Sequence, residues 1–296
     1  APDGRTWILA YYPEEVRGQL ARFLASYEAV APHARLPEVL HHCDLAVLQN
    51  DVGDRTLYDV LHDDRDEGLR LYHDAIDLLA DFQQSGDRGL NAPFTAEFFI
   101  NELAMAREFY VEKLMGGDGA ALEPYAKSIC ENVARHPYVL CHRDYHGQNI
   151  HVVNDALYLI DYQDLRMGPD TYDLASLLRD RGVAGIIGDA TELEFLEHYR
   201  RRIGAEGDIR RRYFETLLQR SIKILGTFAK QPIVRARMHY LDFIPPTLDS
   251  IRRCLEELPE YAALRDIVPL EFDVARARDR ARVMNELLTE SLNGKT

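Results

Sequence analysis

Three side chains with oxygen ligands stand out in the 296-residue sequence as capable of chemistry. His142-Arg143-Asp144-Tyr145-His146-Gly147-Gln148-Asn149 carries an aspartate and an asparagine on one polar stretch. Leu159-Ile160-Asp161-Tyr162-Gln163-Asp164 adds a further aspartate after a short apolar run. Phosphoryl transfer from a nucleotide needs a carboxylate to accept or orient the attacking hydroxyl. It also needs an amide oxygen to hold one magnesium ion and a second carboxylate to bridge magnesium to the phosphates. Asp144, Asn149 and Asp161 are the candidates for those tasks, in that order. Asp164 follows closely enough to face a substrate, where a carboxylate can accept from vicinal hydroxyls.

The elements that must hold these residues can be read from pattern. Tyr138 to Cys141 reads as a strand, and Ile150 to Val153 with Tyr158 to Ile160 as a hairpin turning at Asn154-Asp155. Upstream, Trp7 to Tyr12 is an apolar strand ended by Pro13. Glu14 to Val30 is helical, and Leu45 to Leu48 is a strand leading into Gln49-Asn50-Asp51-Val52-Gly53. Helical spacing then dominates over 69–82, 96–114 and 122–134, and after Pro169 over 172–179, 192–203, 210–228, 247–258 and 274–292. The glycine run from Gly116 to Gly119 is read as a loop. No internal repeat is visible.

Charge and composition exclude several classes. Lys+Arg 35 against Asp+Glu 49 gives a net charge of -14, which argues against a nucleic-acid-coating protein. No apolar run is long enough to span a bilayer, and Ala1 to Gly4 shows no signal-peptide pattern. The four cysteines form no Cys-x-x-Cys pair, so disulfides and zinc are not expected. The expectation is a soluble cytoplasmic protein without nucleic-acid or membrane partners; no signal speaks to its oligomeric state.

The Asp144 to Asn149 spacing is that of kinase catalytic loops, with Asp161 in the position of the metal-binding aspartate. Together with Gly168-Pro169 and Tyr172-Asp173-Leu174-Ala175-Ser176-Leu177-Leu178, the stretch resembles the aminoglycoside phosphotransferases and their small-molecule kinase relatives. That family commonly has glycine where Arg143 stands. The resemblance implies an α+β, two-lobed protein-kinase-like fold, with a β-containing N-lobe over residues 1–52 and a mainly helical C-lobe over 53–296. It implies ATP and Mg2+ as cofactors, Asp144 as catalytic base, Asn149 and Asp161 as metal ligands, and Asp173 as a brace for the loop. His142 is expected to pack and hydrogen-bond. Gln49, Asn50, Asp51 and Val52 fall where a kinase hinge offers its backbone to adenine.

A closer resemblance is to the anomeric sugar kinases of cell-wall recycling, which phosphorylate N-acetylmuramic acid and N-acetylglucosamine. It rests on 142–149, on Ile160 to Asp164 with Gly168-Pro169, and on Leu218-Gln219-Arg220-Ser221-Ile222-Lys223-Ile224-Leu225-Gly226-Thr227-Phe228. Arg220 and Lys223 share a helix face and are candidates for a substrate carboxylate, alongside Asp164. A kinase for an aminoglycoside or a choline-like alcohol, or a nucleotide-binding pseudokinase, are the alternatives.

Two kinase parts have no counterpart. The N-lobe is read as lacking its glycine-rich loop, because the sequence begins almost at the strand that would follow one. The strand lysine is also missing, since the first 112 residues contain no lysine at all. Arg5 is a candidate substitute, the alternative being magnesium and backbone amides alone. His41-His42-Cys43-Asp44 is read as a surface turn, and the clusters Arg200 to Arg202 and Arg210 to Arg212 as solvated helix faces.

Overall fold

The β-branched and aromatic residues near the N-terminus pair as expected for strands. β1 (Trp7–Tyr11) precedes a 3-10 turn at Glu14–Val16 and helix α1 (Arg17–Val30). β2 (Val39–His42) and β3 (Ala46–Asn50) complete an antiparallel sheet in the order β1-β3-β2, with Trp7 opposite Asn50 and Tyr11 opposite Ala46. The computed structural model describes residues 6–293, so Arg5 lies outside the described residues. His41 and His42, expected in a turn, are strand residues: they pair with Leu48 and Val47 after a register shift that follows Val39.

Next come α2 (Leu57–Asp63) and α3 (Arg65–Gln83). Thr56 and Asp59 cap α2 reciprocally, and the Asp64 side chain accepts from the N–H groups of Asp66 and Glu67 at the start of α3. α4 (Ala96–Met105) runs on as wide π-helical turns over Ala106–Met115, and α5 (Glu123–Val133) follows the glycine break. The central module is β4 (Tyr138–Cys141), β5 (Ile150–Val153), β6 (Ala156–Leu159) and β7 (Arg166–Pro169). β5 and β6 form the expected hairpin, with Asn154 at φ 49° and Asp155 at φ 61°, the left-handed pair a tight two-residue turn requires. β7 pairs with β4. The remaining helices are α6 (Tyr172–Arg179), α7 (Ala184–Ile187), α8 (Asp189–Ile203), α9 (Ile209–Arg235), α10 (Ile244–Glu257), α11 (Leu264–Ile267) and α12 (Val274–Asn293).

The chain divides into two compact units. Residues up to Pro93 with Pro137–Ile209 make the first, and Phe94–His136 with the residues from Arg210 onward make the second. The first holds the sheet, the module and a core that includes Leu57, Tyr72, Leu79, Tyr145, Leu159 and Leu177, all fully buried. The arginine clusters are engaged by carboxylates rather than merely solvated. Arg200 pairs with Glu197 at 2.7 Å and Arg202 with Asp77 at 3.3 Å, while Arg210 pairs with Glu257 at 2.8 Å and Arg211 with Glu215 at 3.0 Å. Among the described residues, no helix is long and apolar enough to cross a membrane.

In the second unit α9 passes directly over the junction where α4 becomes π-helical. A Cβ on Gly226 would fall well inside contact distance of the Ala106 backbone nitrogen and the Met105 carbonyl carbon. Alanine normally gains about 1 kcal/mol over glycine inside a helix. Here backbone meets backbone and neither side can yield cheaply, so overpacking prevails. Gly226→Ala should therefore lower stability by roughly 1–3 kcal/mol, read as a lower urea midpoint. An unchanged or higher midpoint would show that the two helices separate without cost.

Candidate active site

A cleft of about 620 Å3 lies within the first unit. β1 contributes Ile8 and Ala10, with Tyr12 just beyond the strand, and α1 contributes Gln19, Arg22 and Phe23. β3 and the segment leaving it supply Val47 and Gln49 to Asp54. The central module supplies Asn149, Ile160, Asp161, Gln163 and Asp164. Gln49, Asn50, Asp51 and Val52 therefore line the same space as Asn149, Asp161 and Asp164. The segment is held at both ends: the Asn50 N–H donates to the Glu38 carbonyl at 3.0 Å, and the Gly53 carbonyl meets the His151 ring at 2.6 Å. The Gly53 N–H donating to Asp51 holds that carboxyl below its usual range.

The loop from His142 to Asn149 is shaped by one buried carboxylate. Asp173, in the first turn of α6, accepts the His142 N–H at 2.6 Å and the Arg143 N–H at 2.9 Å. Both bonds are charge-assisted and shielded from water, which makes them stronger than ordinary backbone pairs. The geometry turns the chain sharply, and Arg143 adopts φ 80°. That left-handed position costs a side chain about 1 kcal/mol or more and nothing for glycine. The Arg143 guanidinium reaches the Asp164 carbonyl at 3.4 Å, a contact that glycine could not offer.

Beyond the turn, the side chains lock downward. His142 is buried, with Nε2 2.9 Å from the Ile160 carbonyl. A carbonyl only accepts, so Nε2 carries the proton. Burial pushes its pKa down to about 4, outweighing the carbonyl contact and the nearby aspartates, which pull the other way. Tyr145 donates to the Ala75 carbonyl of α3 at 2.7 Å. Gly147 sits against α2: a Cβ there would lie 2.9 Å from the Tyr58 nitrogen, closer than backbone tolerates. These anchors leave Asp144 exposed at the top of the loop.

Asn149 closes the arrangement. Its Nδ2 donates to the Asp144 carbonyl at 2.9 Å, which commits the amide nitrogen and leaves Oδ1 as the atom that could ligate a metal. Asp161 follows Ile160, whose N–H donates to the Asn149 carbonyl at 3.0 Å. Its backbone is left-handed, φ 63°, and its carboxylate accepts from Gln163 Nε2 at 2.7 Å. An amide oxygen and a carboxylate on one cleft form a hard oxygen donor set suited to Mg2+. The next residue, Tyr162, is buried and stacks on Phe23 of α1 with centroids 5.3 Å apart.

Arg220 and Lys223 belong to the second unit. Arg220 is buried there, and Lys223 Nζ lies 3.3 Å from Glu102. His146 lies near Asp180, 4.0 Å between ring nitrogen and carboxylate. Neither Arg22 nor the Phe23–Tyr162 stack was visible in the sequence pattern. The helical spacing of Gln19, Arg22 and Phe23, set against the strand they face, is the signal that could have found them.

A family model described as the phosphotransferase enzyme family matches residues 1–213. The chain is 27% identical over 254 residues to the N-acetylmuramate/N-acetylglucosamine kinase of Neisseria meningitidis serogroup B, covering 79% of this chain and 75% of that protein. The kinase of the same name from Pseudomonas putida is 26% identical over 246 residues, covering 78% and 71%. Among solved structures, a choline/ethanolamine kinase family protein from Mesorhizobium loti superposes with a TM-score of 0.58 at 16% identity, covering 95% of this chain and 87% of that one. An ADP-bound aminoglycoside phosphotransferase gives 0.56 at 16% identity, covering 84% and 87%. These likenesses establish a protein-kinase-like fold: a small strand-containing lobe and a mainly helical remainder.

The His142 environment has a consequence for pH. Its folded pKa of about 4 lies below the ordinary value of 6.5, so the unfolded chain binds the proton first as pH falls. The stability is intact above pH 6.5 and is lost as pH drops toward 4. By pH 4.5 the loss is on the order of 2 kcal/mol. Glutamine can still donate to the Ile160 carbonyl but does not titrate. Urea midpoints at pH 7 and pH 4.5 should therefore fall further apart in the wild type than in His142→Gln. Equal separations would mean that His142 is protonated in the folded state.

Proposed function

The chain belongs to the phosphotransferase enzyme family, and from that membership we propose that it transfers the γ-phosphoryl group of ATP, bound with Mg2+, to the anomeric hydroxyl of an amino sugar, N-acetylmuramic acid or N-acetylglucosamine. The observation that carries the reading is the coupling of base and ligand on one loop. Asn149 donates to the Asp144 carbonyl at 2.9 Å while Asp161 lines the same cleft as Asn149. The names of the relatives from Neisseria and Pseudomonas support the acceptor class.

In this reading the lobe boundary falls at the hinge, between residues 1–52 and 53–296. Gln49 to Val52 present backbone N–H and C=O groups to the adenine edge. Asp144 accepts the proton of the attacking hydroxyl as the oxygen approaches phosphorus, and its exposure leaves room for a substrate. Asn149 Oδ1 and the Asp161 carboxylate would hold Mg2+, which when bound neutralises charge on the phosphate oxygens. Asp173 and His142 keep the loop fixed so that Asp144 need not reorganise during the reaction. Asp164 receives sugar hydroxyls, and Arg220 or Lys223 reads the lactyl carboxylate that distinguishes the muramic sugar.

A second reading has its own support. Four carboxylates, Asp51, Asp54, Asp161 and Asp164, line the cleft, which would suit a cationic alcohol such as an aminoglycoside or a choline-like amine.

The test is ATP consumption measured with each sugar, an aminoglycoside and choline, with Mg2+ and with a chelator. Turnover of a sugar that stops on chelation is expected, and Asp144→Asn should lower kcat at least about a hundredfold while ATP still binds. Turnover of only the cationic alcohols would select the second reading, and ATP binding without any turnover would indicate a pseudokinase. For substrate discrimination, Lys223→Gln or Arg220→Gln should reduce kcat/KM for N-acetylmuramic acid about tenfold more than for N-acetylglucosamine, while Asp164→Ala depresses both. Equal losses on the two sugars would remove both cations from that role.

A further inference from the structure

We propose that Arg22 of α1 is the cation that grips the nucleotide phosphates in place of a strand lysine; this rests on the phosphotransferase reading above. The strand that runs along the cleft offers Ile8 and Ala10 to it, and neither can carry charge. The helix that follows presents Gln19, Arg22 and Phe23 to the same space. Those positions are three and four apart, one face of an α-helix. Arg22 is the one lysine or arginine among the described residues that line the cleft, against the carboxylates of Asp51, Asp54, Asp161 and Asp164. A polyphosphate entering that field needs positive charge beyond a single divalent ion.

Arg22 is exposed and placed for this task. Arg17, one and a half turns earlier on the same helix, is paired with Glu14 at 3.4 Å and Asp44 at 3.5 Å. No carboxylate among the described residues claims Arg22 in that way. Its neighbour Phe23 stacks on Tyr162 at 5.3 Å, and Tyr27 approaches the same ring at 6.4 Å. Tyr162 directly follows Asp161. The helix that carries the guanidinium is thus fastened to the segment that carries the metal-ligand candidate, so both reach the same phosphates in fixed relation. A guanidinium presents five donors in a planar fork and suits phosphate oxygens bidentately.

Calorimetric titration of ATP, ADP, AMP and adenosine, all with Mg2+, tests the assignment on the full chain. Arg22→Gln should weaken ATP roughly ten- to a hundredfold, weaken AMP less, and leave adenosine unchanged. Arg22→Lys should recover part of the loss, because it restores charge without the fork. The adenosine arm doubles as a check on folding, since the base contacts belong to the segment after β3. ATP binding by Arg22→Gln within twofold of the wild type overturns the proposal, as does an equal loss for adenosine. A wild-type chain that binds neither ATP nor adenosine overturns the phosphotransferase reading itself, and the role of Arg22 with it.

Discussion

The Asp173 carboxylate is the interaction on which the site depends. A carboxylate with no exposed surface must be fully satisfied, and two N–H groups from adjacent residues do much of that work. Here the two adjacent N–H groups converge on one carboxylate across a sharp turn in which Arg143 takes the left-handed region. From that turn the descent is determined: His142 inward to the Ile160 carbonyl, Tyr145 inward to α3, Asp144 outward between them. Strain at Arg143 and at Asp161 is sustained by one anchored neighbour each: His142 is buried and bonded to the Ile160 carbonyl, and Tyr162 is buried against Phe23.

A second coupling runs from this loop to the N-terminal sheet. Ile160 ties both His142 and Asn149 to the end of the β5–β6 hairpin, and Tyr162 ties the next residue but one to α1. Any rotation of α1 that displaced Phe23 would open a gap beside a buried aromatic ring, and tightly packed interiors resist that. Loop, hairpin and helix therefore move as a group or not at all.

Much of this was legible in the sequence where the determinants are local. Tyr138–Cys141, Ile150–Val153 and Tyr172–Arg179 appear as read, because apolar patterning and the Asn154-Asp155 turn act over a few residues. What was not legible depends on distant partners. β7 exists because Met167 and Gly168 meet Leu140 and Val139 from much earlier in the chain. β2 was obscured by two exposed histidines that stand on an edge strand. α9 continues past the expected end at Phe228 and through Pro232, with Ile233 fully buried, so packing overrides the proline penalty. Within the site, the contiguous residues Asp144 to Asn149 could be singled out by spacing. Which N–H groups Asp173 would accept, and which face of α1 would line the cleft, are set by packing that no short window contains. That Arg220 is buried on α9 is set in the same way.

The amide at position 149 carries an implication for the order in which a site of this kind fills. Because Nδ2 donates to the Asp144 carbonyl, a carboxylate there would set oxygen against oxygen, so the position demands a neutral residue. Under the proposed metal assignment, Asp161 is then the single formal negative charge among the two ligands. Mg2+ gives up its water reluctantly and is held mainly where phosphates share its coordination. A pair this weakly charged would recruit little free metal, so under that assignment ion and nucleotide would arrive as one complex. Under the same assignment, vacating the site would be linked to the completion of transfer.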